Sequence, residues 1–350
     1  MASSGNKKQP IMVILRSLAL GDFLTGLPAL RALARAFPEH YRILTCPSWL
    51  KPLAEITNVA DEIIDGAYFN EEISQYRVPM DLQERIELEK AQLNVLKVPD
   101  KPDLAVNLRG QRVALHEALL KLHPRRFIGF YNPHVPETTG SPIWQPDEYE
   151  VVRWCRLLQE NGIPADPRDL HIDQPDLAIP ETIRDSTIIH PGAGSPARCW
   201  PVERWAAVAR WEKQRGKKVI LTGGLQEVEI ASKVAAIAEL PPESIFAGRT
   251  DILELCALVA ATGKVICTNT GIAHVATAFH TPSVILFGPE RPGRFGPPPH
   301  LSIHRALWAG IIGDTYGNAP FPGLLKIQVE DVINEILLLE HIYPCLKQGG

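Results

Sequence analysis

Thr187-Ile-Ile-His-Pro-Gly-Ala-Gly-Ser-Pro-Ala-Arg-Cys-Trp-Pro201 is the stretch whose reading decides the fold. Thr187 to Ile189 is a short β-branched run of the kind that fills a buried parallel strand. Gly192, Gly194 and Ser195 then form a loop, and a helix is predicted from about Pro201, since proline suits a first helical turn. Small residues let backbone N–H groups approach an anion, and a helix N-terminus adds about half a positive charge. Arg198 adds a full one. The pattern fits a diphosphate cradle, and it also fits an ordinary β–α turn. The loop alone leaves both open.

Outward from this loop the same alternation repeats. Downstream, strands are predicted at Lys218–Leu221, near Ile245–Phe246, at Val265–Cys267 and at Ser283–Leu286. Helices fall at Val202–Gln214, Gln226–Leu240, Ile252–Ala261, Ile272–Phe279 and Val329–Leu339. Upstream, Ile11–Leu15, Tyr41–Cys46, Glu62–Ile64, Asp103–Leu108 and Arg125–Phe130 are strand-like. They alternate with an amphipathic helix carrying Leu27, Leu30, Leu33 and Phe37, and with helices at Ser48–Ile56, Asp81–Lys97, Gln111–Leu122 and Asp147–Asn161. Such alternation makes parallel sheets covered by helices on both faces. Pro164, Pro167, Pro175 and Pro180 interrupt regular structure between the two runs and mark a linker. Two α/β halves of similar size, with a cleft between them, are the expected plan.

The composition excludes other classes. Of 350 residues, 45% are hydrophobic and 22% charged, which is ordinary for a globular protein. A net charge of −4 argues against a dedicated nucleic-acid binder. The six cysteines are scattered, with no Cys-x-x-Cys pair and no zinc spacing, so free thiols in a reducing cytoplasm are expected. Ile11–Leu20, broken by Arg16, makes a poor signal peptide, and no stretch reaches the ~20 apolar residues of a membrane span. A soluble cytoplasmic protein is expected, which leaves a membrane-borne substrate possible.

Four clusters at strand C-termini could carry chemistry. After the first strand comes Arg16-Ser-Leu-Ala-Leu-Gly-Asp22, without the Gly-x-Gly-x-x-Gly of a dinucleotide site. Asp22 is either a helix N-cap or a general base facing the cleft. The second cluster is the opening loop, where a cation at a helix start implies an anionic partner for Arg198. In the third, Leu221-Thr-Gly-Gly-Leu-Gln-Glu-Val-Glu229, Glu227 or Glu229 could accept from ribose hydroxyls or could only complement a helix dipole. The fourth is Cys267-Thr-Asn-Thr-Gly-Ile-Ala-His274, where Asn269, Thr270 and Gly271 meet a helix N-terminus and His274 sits on its first turn. Arg109, Arg112, Arg125 and Arg126 could clamp an acidic acceptor or form a solvated face.

Taken in order and spacing, Leu20-Gly21-Asp22, Leu27-Pro28-Ala29-Leu30, His190-Pro191-Gly192-Ala193-Gly194, Arg198-Cys199-Trp200-Pro201 and Thr270-Gly271-Ile272-Ala273-His274 resemble glycosyltransferase family 9. That family contains the bacterial lipopolysaccharide heptosyltransferases, and the resemblance spans about residues 11–340. It implies a GT-B fold of two Rossmann-like domains facing each other across a cleft. After a flexible segment 1–10, the acceptor domain would cover 11–165, the linker 166–182 and the nucleotide-sugar domain 183–325. Residues 326–350 would supply a last helix packing back on the first domain.

The resemblance also implies an inverting transfer that needs no metal or cofactor, with ADP-heptose as the usual donor and a saccharide or glycolipid as acceptor. Asp22 matches the family's general base. Gly21, Gly194, Ser195, Arg198, Glu227, Thr250, Asn269, Thr270, Gly271 and His274 fall on the donor site, and Arg109 and Arg112 are candidates for the acceptor. Arg198 stands where lysine is usual and Asn269 where aspartate is common. Leu18 and Ala19 replace small hydroxyl residues, which points to an altered acceptor. A monomer without nucleic-acid partners, compatible with a peripheral place at the cytoplasmic membrane face, completes the expectation. A nucleotide-sugar 2-epimerase and a non-catalytic binder of the same fold are the rival readings.

Overall fold

A computed structural model describes residues 9–16, 19–65 and 98–343. The expected helix at 81–97, Ser17, Leu18 and both chain ends lie outside the described residues. The chain divides into two compact units, Met1–Leu170 and His171–Gly350, with the boundary inside the proline-rich stretch.

The first unit carries β1 (Ile11–Leu15), α1 (Leu20–Ala36), β2 (Tyr41–Cys46), α2 (Lys51–Ile56), β3 (Glu62–Asp65), β4 (Leu104–Asn107), α3 (Val113–Leu120), β5 (Arg126–Ile128) and α4 (Glu150–Gln159). Its sheet has the order β3-β2-β1-β4-β5, and every pairing is parallel. Because helices cover both faces of such a sheet, the central strands are apolar apart from Asn107 at the end of β4. Met12 to Leu15 and Leu104 to Asn107 are accordingly buried. α1 turns Phe23, Leu24, Leu27, Leu30 and Leu33 inward and runs through Pro28 without ending there.

The second unit carries β6 (Thr187–His190), α5 (Val202–Gln214), β7 (Val219–Leu221), α6 (Val228–Ile237), α7 (Ile252–Ala261), β8 (Lys264–Thr268), α8 (Gly271–Ala278) and β9 (Ser283–Phe287). It closes with α9 (Pro292–Phe295), β10 (His304–Trp308), α10 (Pro322–Leu325) and α11 (Val329–Ile342). The sheet order is β10-β9-β8-β6-β7, again parallel throughout. The strand expected near Ile245 shrinks to one bridge with Leu221, because a 3-10 turn at Pro242–Ser244 leads straight into it. β10, not foreseen, is a half-buried edge strand that follows a proline-rich loop.

The resemblance sets the last helix against the first domain. In the structure Val332, Ile336 and Leu339 of α11 are buried in the second unit's own core, beside Trp200, Trp205 and Leu324. Trp200 and Trp205 meet edge to face at 4.9 Å. Removing one such aliphatic side chain from water contributes about 1.5–3 kcal/mol. At the sheet edge opposite the strand C-termini, Lys264 Nζ lies 3.4 Å from Glu212 and 2.7 Å from Glu340, and Thr187 Oγ1 donates to Glu212 at 2.9 Å. This cluster ties α5 and α11 to β6 and β8.

Candidate active site

In each sheet the strand order reverses once, between β1 and β4 in the first unit and between β6 and β8 in the second. Open α/β sheets bind ligands at the strand C-termini beside such a switch point. The sequence clusters fall on these four strand ends.

In the second unit, β6 runs into Pro191–Ser195 and β8 runs through Asn269 and Thr270 into α8. Arg198 connects the two loops. Its Nη1 donates to the Asn269 carbonyl at 3.2 Å and its Nε to Ser195 Oγ at 3.4 Å. Both acceptors are neutral, and among the described residues Arg198 forms no ion pair. Gly194 makes room for it, since a Cβ there would stand 2.7 Å from Nη2. The loop is braced from behind: Ser195 Oγ donates to the Thr315 carbonyl at 2.5 Å, and the Ala197 N–H to the Gly317 carbonyl at 3.2 Å.

One expectation is corrected here. Arg198 ends a 3-10 turn, Pro196–Arg198, and α5 starts only at Val202. The relevant helix dipole is that of α8, beside which the Asn269 bond places Arg198. Thr270 is the N-cap of α8 and makes no side-chain capping bond, while Gly271 is its first residue and His274 lies on its first turn. The Thr270 hydroxyl turns back to the Thr268 carbonyl at 3.4 Å, so the helical N–H groups and the guanidinium beside them are what suits an anion.

Glu227 ends the 3-10 turn Leu225–Glu227 and curls back, its Oε2 accepting from the Gly224 N–H at 2.7 Å. The same oxygen lies 3.6 Å from His190 Nε2, while Oε1 sits where a Gly192 Cβ would be, 1.9 Å away. Glu227 is therefore pressed against the loop after β6, and its capping role and a ribose contact are compatible. His190 pairs through Nδ1 with Thr222 Oγ1 at 3.0 Å. Burial holds this imidazole below its ordinary value, and the Glu227 carboxylate pulls the other way. Thr250 borders a cavity of about 330 Å³ together with Ile179, Phe246, Arg249, Glu254 and Leu258.

In the first unit, Asp22 is the third residue of α1 and not its N-cap, which is Ala19. Its Oδ2 accepts from the Ala19 N–H at 3.2 Å. Gly21 lies in the same first turn. Arg109 and Arg112 follow β4, the strand beside β1, so they share the sheet edge of Asp22. The Arg109 N–H is fixed by Asn107 Oδ1 at 2.9 Å, and Arg112 is the N-cap of α3. Arg125 and Arg126 do not join them. They stand where β5 begins, at the opposite sheet edge, with Arg125 on Asp103 Oδ1 at 3.1 Å and Arg126 on the Asn161 carbonyl at 2.7 Å. Among the described residues no group of His, Cys, Asp and Glu is arranged to hold a metal ion, and no helix is long and apolar enough to cross a membrane.

Residues 141–306 match the model of glycosyltransferase family 9 (heptosyltransferase). That match covers just under half of the chain. The lipopolysaccharide core heptosyltransferase OpsX of Haemophilus influenzae is 29% identical over 194 residues, half of this chain and 56% of that protein. The chain thus spans little more than half the length of this curated relative. Lipopolysaccharide heptosyltransferase 2 of Escherichia coli is 22% identical over 315 residues, 80% of this chain and 82% of that one. The solved structure of E. coli ADP-heptose LPS heptosyltransferase II superposes with a TM-score of 0.67 at 22% identity, over 96% of this chain and 100% of that one. A family 9 glycosyltransferase from Veillonella parvula gives 0.69 at 20% identity, over 95% and 97%. The motif resemblance and the two-domain α/β architecture are thereby borne out. The family-model match begins well after Asp22, so that residue's role rests on its motif and its place at the sheet edge.

Three parts of the site escaped the sequence reading. Arg16 sits in the first cluster but received no role. Nothing in the sequence paired His190 with Glu227, although the close run Gly192-Ala-Gly194 hinted that a side chain lies over the loop. The strap around Thr315 and Gly317, which braces Ser195 and Ala197, is over a hundred residues away and carries no motif.

Proposed function

We propose that the protein is an inverting, metal-independent heptosyltransferase. It moves heptose from ADP-heptose to a hydroxyl of a lipopolysaccharide-core saccharide or related glycolipid. The observation that carries this reading is the Arg198–Asn269 bond, which sets a guanidinium beside the N-terminus of α8 at the switch point of a chain that matches family 9.

In the proposed reaction the acceptor hydroxyl attacks the anomeric carbon, its oxygen forming the new glycosidic bond as the bond to the diphosphate oxygen breaks. Asp22 takes the hydroxyl proton. Its Oδ2 is engaged by the Ala19 amide, which fixes the carboxylate for that task. The leaving ADP gains negative charge, which Arg198 and the α8 N-terminus stabilise in the way a metal does elsewhere. Ser195, Gly194, Asn269, Thr270, Gly271 and His274 shape the diphosphate site. Glu227 takes the ribose, Thr250 lies beside the base, and Arg109 and Arg112 orient an acidic acceptor. The enzyme is read as a cytoplasmic monomer that meets its acceptor at the membrane face.

ADP release from ADP-heptose should require the acceptor and persist in a chelator. Release without acceptor would favour an epimerase, no release with any acceptor a binder, and loss of activity in the chelator a metal-dependent transferase.

A further inference from the structure

Arg16 is fully buried at the end of β1. Its Nε donates to the Asp22 carbonyl oxygen at 2.8 Å, and Nη2 donates to the same oxygen. Nη2 also reaches Thr25 Oγ1 at 3.1 Å, and Nη1 donates to the Leu108 carbonyl after β4. One side chain therefore joins both strand ends of the first unit's switch point to the first turn of α1. The guanidinium lies over the Trp154 ring, 4.6 Å from its centroid, and Trp154 donates to Glu150 at 2.9 Å. Gly26 of α1 admits it, since a Cβ there would stand 2.7 Å from Nε.

A stability role alone explains this poorly. A buried charge costs several kcal/mol of desolvation, and an apolar residue of similar volume is often as good or better. Among the described residues no hydrogen bond joins Arg16 to a carboxylate: its side-chain acceptors are two carbonyls and a hydroxyl, and burial holds the guanidinium below its ordinary value, offset by the charges of Asp22 and Glu150. What the arrangement does secure is geometry. Two donors on one carbonyl fix the Asp22 backbone in position and rotation, while its carboxylate stays outside the buried cluster. A planar fork does this, and a lysine cannot.

We propose that Arg16 is a positioning residue for the reaction, clamping the Asp22 backbone so that the carboxylate is presented to the acceptor hydroxyl. The proposal rests on the assignment of Asp22 as base, and its test separates the two. ADP release from ADP-heptose with a lipopolysaccharide-core acceptor is measured for Arg16→Lys, Gly26→Ala and Asp22→Asn, and for each of the first two combined with Asp22→Asn. Arg16→Lys should lower kcat about 10-fold or more, because misplacing a reacting group by a fraction of an ångström is costly. ADP affinity by calorimetry should stay within about twofold, and the loss should nearly vanish in the Asp22→Asn background, as for two residues acting as a unit. Gly26→Ala, which crowds Nε and is favourable for a helix, should show the same pattern and serves if Arg16→Lys does not fold. An inactive Asp22→Asn beside fully active Arg16→Lys and Gly26→Ala would overturn the clamp and leave the base. Equal losses with and without the Asp22 carboxylate would mark Arg16 as structural only. An Asp22→Asn enzyme of normal rate would remove the base assignment and the clamp together.

Discussion

Arg198 reaches from the loop after β6 to the Asn269 carbonyl after β8, 3.2 Å away, and so bridges the switch point of the second sheet. A lysine could place a charge there but could not hold Ser195 and Asn269 at once in one plane. Arg198→Ala should weaken ADP binding by about 10-fold or more, the scale of a lost charge-assisted hydrogen bond. Arg198→Lys should recover part of it. Calorimetry with ADP decides, and unchanged affinity in the alanine variant would remove Arg198 from the diphosphate site.

Glu227 and Gly192 form a second test of the donor site. A methyl group at residue 192 would meet Glu227 Oε1 at 1.9 Å, so Gly192→Ala should displace the carboxylate. ADP affinity should fall in Gly192→Ala and in Glu227→Gln. A nucleotide lacking the ribose hydroxyls should lose much less between wild type and Glu227→Gln than ADP does. Equal losses for both ligands would show that Glu227 only shapes the loop.

The buried Lys264 cluster makes a prediction about stability. Glu212 is fully buried, with Lys264 3.4 Å away and Thr187 donating to one carboxylate oxygen and Arg215 3.6 Å from the other. Lys264→Met leaves that carboxylate with Arg215 as its cation, so the cost should lie below the about 3–5 kcal/mol of a fully broken buried pair. Thermal unfolding should show a lowered Tm for Lys264→Met, and a smaller drop for Lys264→Met combined with Glu212→Gln. A normal Tm for the single variant would contradict the account.

His116 makes stability depend on pH. It is buried, shares a 3.0 Å hydrogen bond between its Nδ1 and Asn107 Nδ2, and burial pushes its pKa down to about 4. With the amide as donor, the imidazole accepts only while neutral. Between pH 6.5 and about 4 the unfolded chain binds a proton that the native chain does not. The stabilisation is complete above pH 6.5 and falls with acid by at most about 1.4 kcal/mol per pH unit. Urea unfolding at pH 6.5 and 5 should show this loss, and His116→Gln should flatten it. An unchanged slope in that variant would assign the acid sensitivity to other groups.

Much of this architecture was legible because parallel strands buried on both faces are written as unbroken apolar runs. Val202–Gln214 and Ile252–Ala261 match the structure residue for residue, and the loops after β6 and β8 stand out by their glycine and hydroxyl residues. β10 was not legible, since an edge strand with exposed positions has no continuous apolar signature. Asp22 as the third helical residue, with Ala19 as cap, follows from a capping box that lacks the usual hydroxyl at its head. Arg125 and Arg126 looked like partners of Arg109 only because sequence proximity hides which end of a strand a residue occupies. Arg16 stood in plain view, but its meaning depends on Leu108, Trp154 and Gly26, contacts that no local pattern encodes.

The central claim is that the acceptor is deprotonated by Asp22 while the second unit holds the donor. Asp22→Asn keeps the side-chain size and removes the base, so single-turnover transfer from ADP-heptose should slow by about 10²-fold or more. ADP affinity should stay within about twofold of wild type. Transfer at the wild-type rate by a correctly folded Asp22→Asn enzyme would contradict the account.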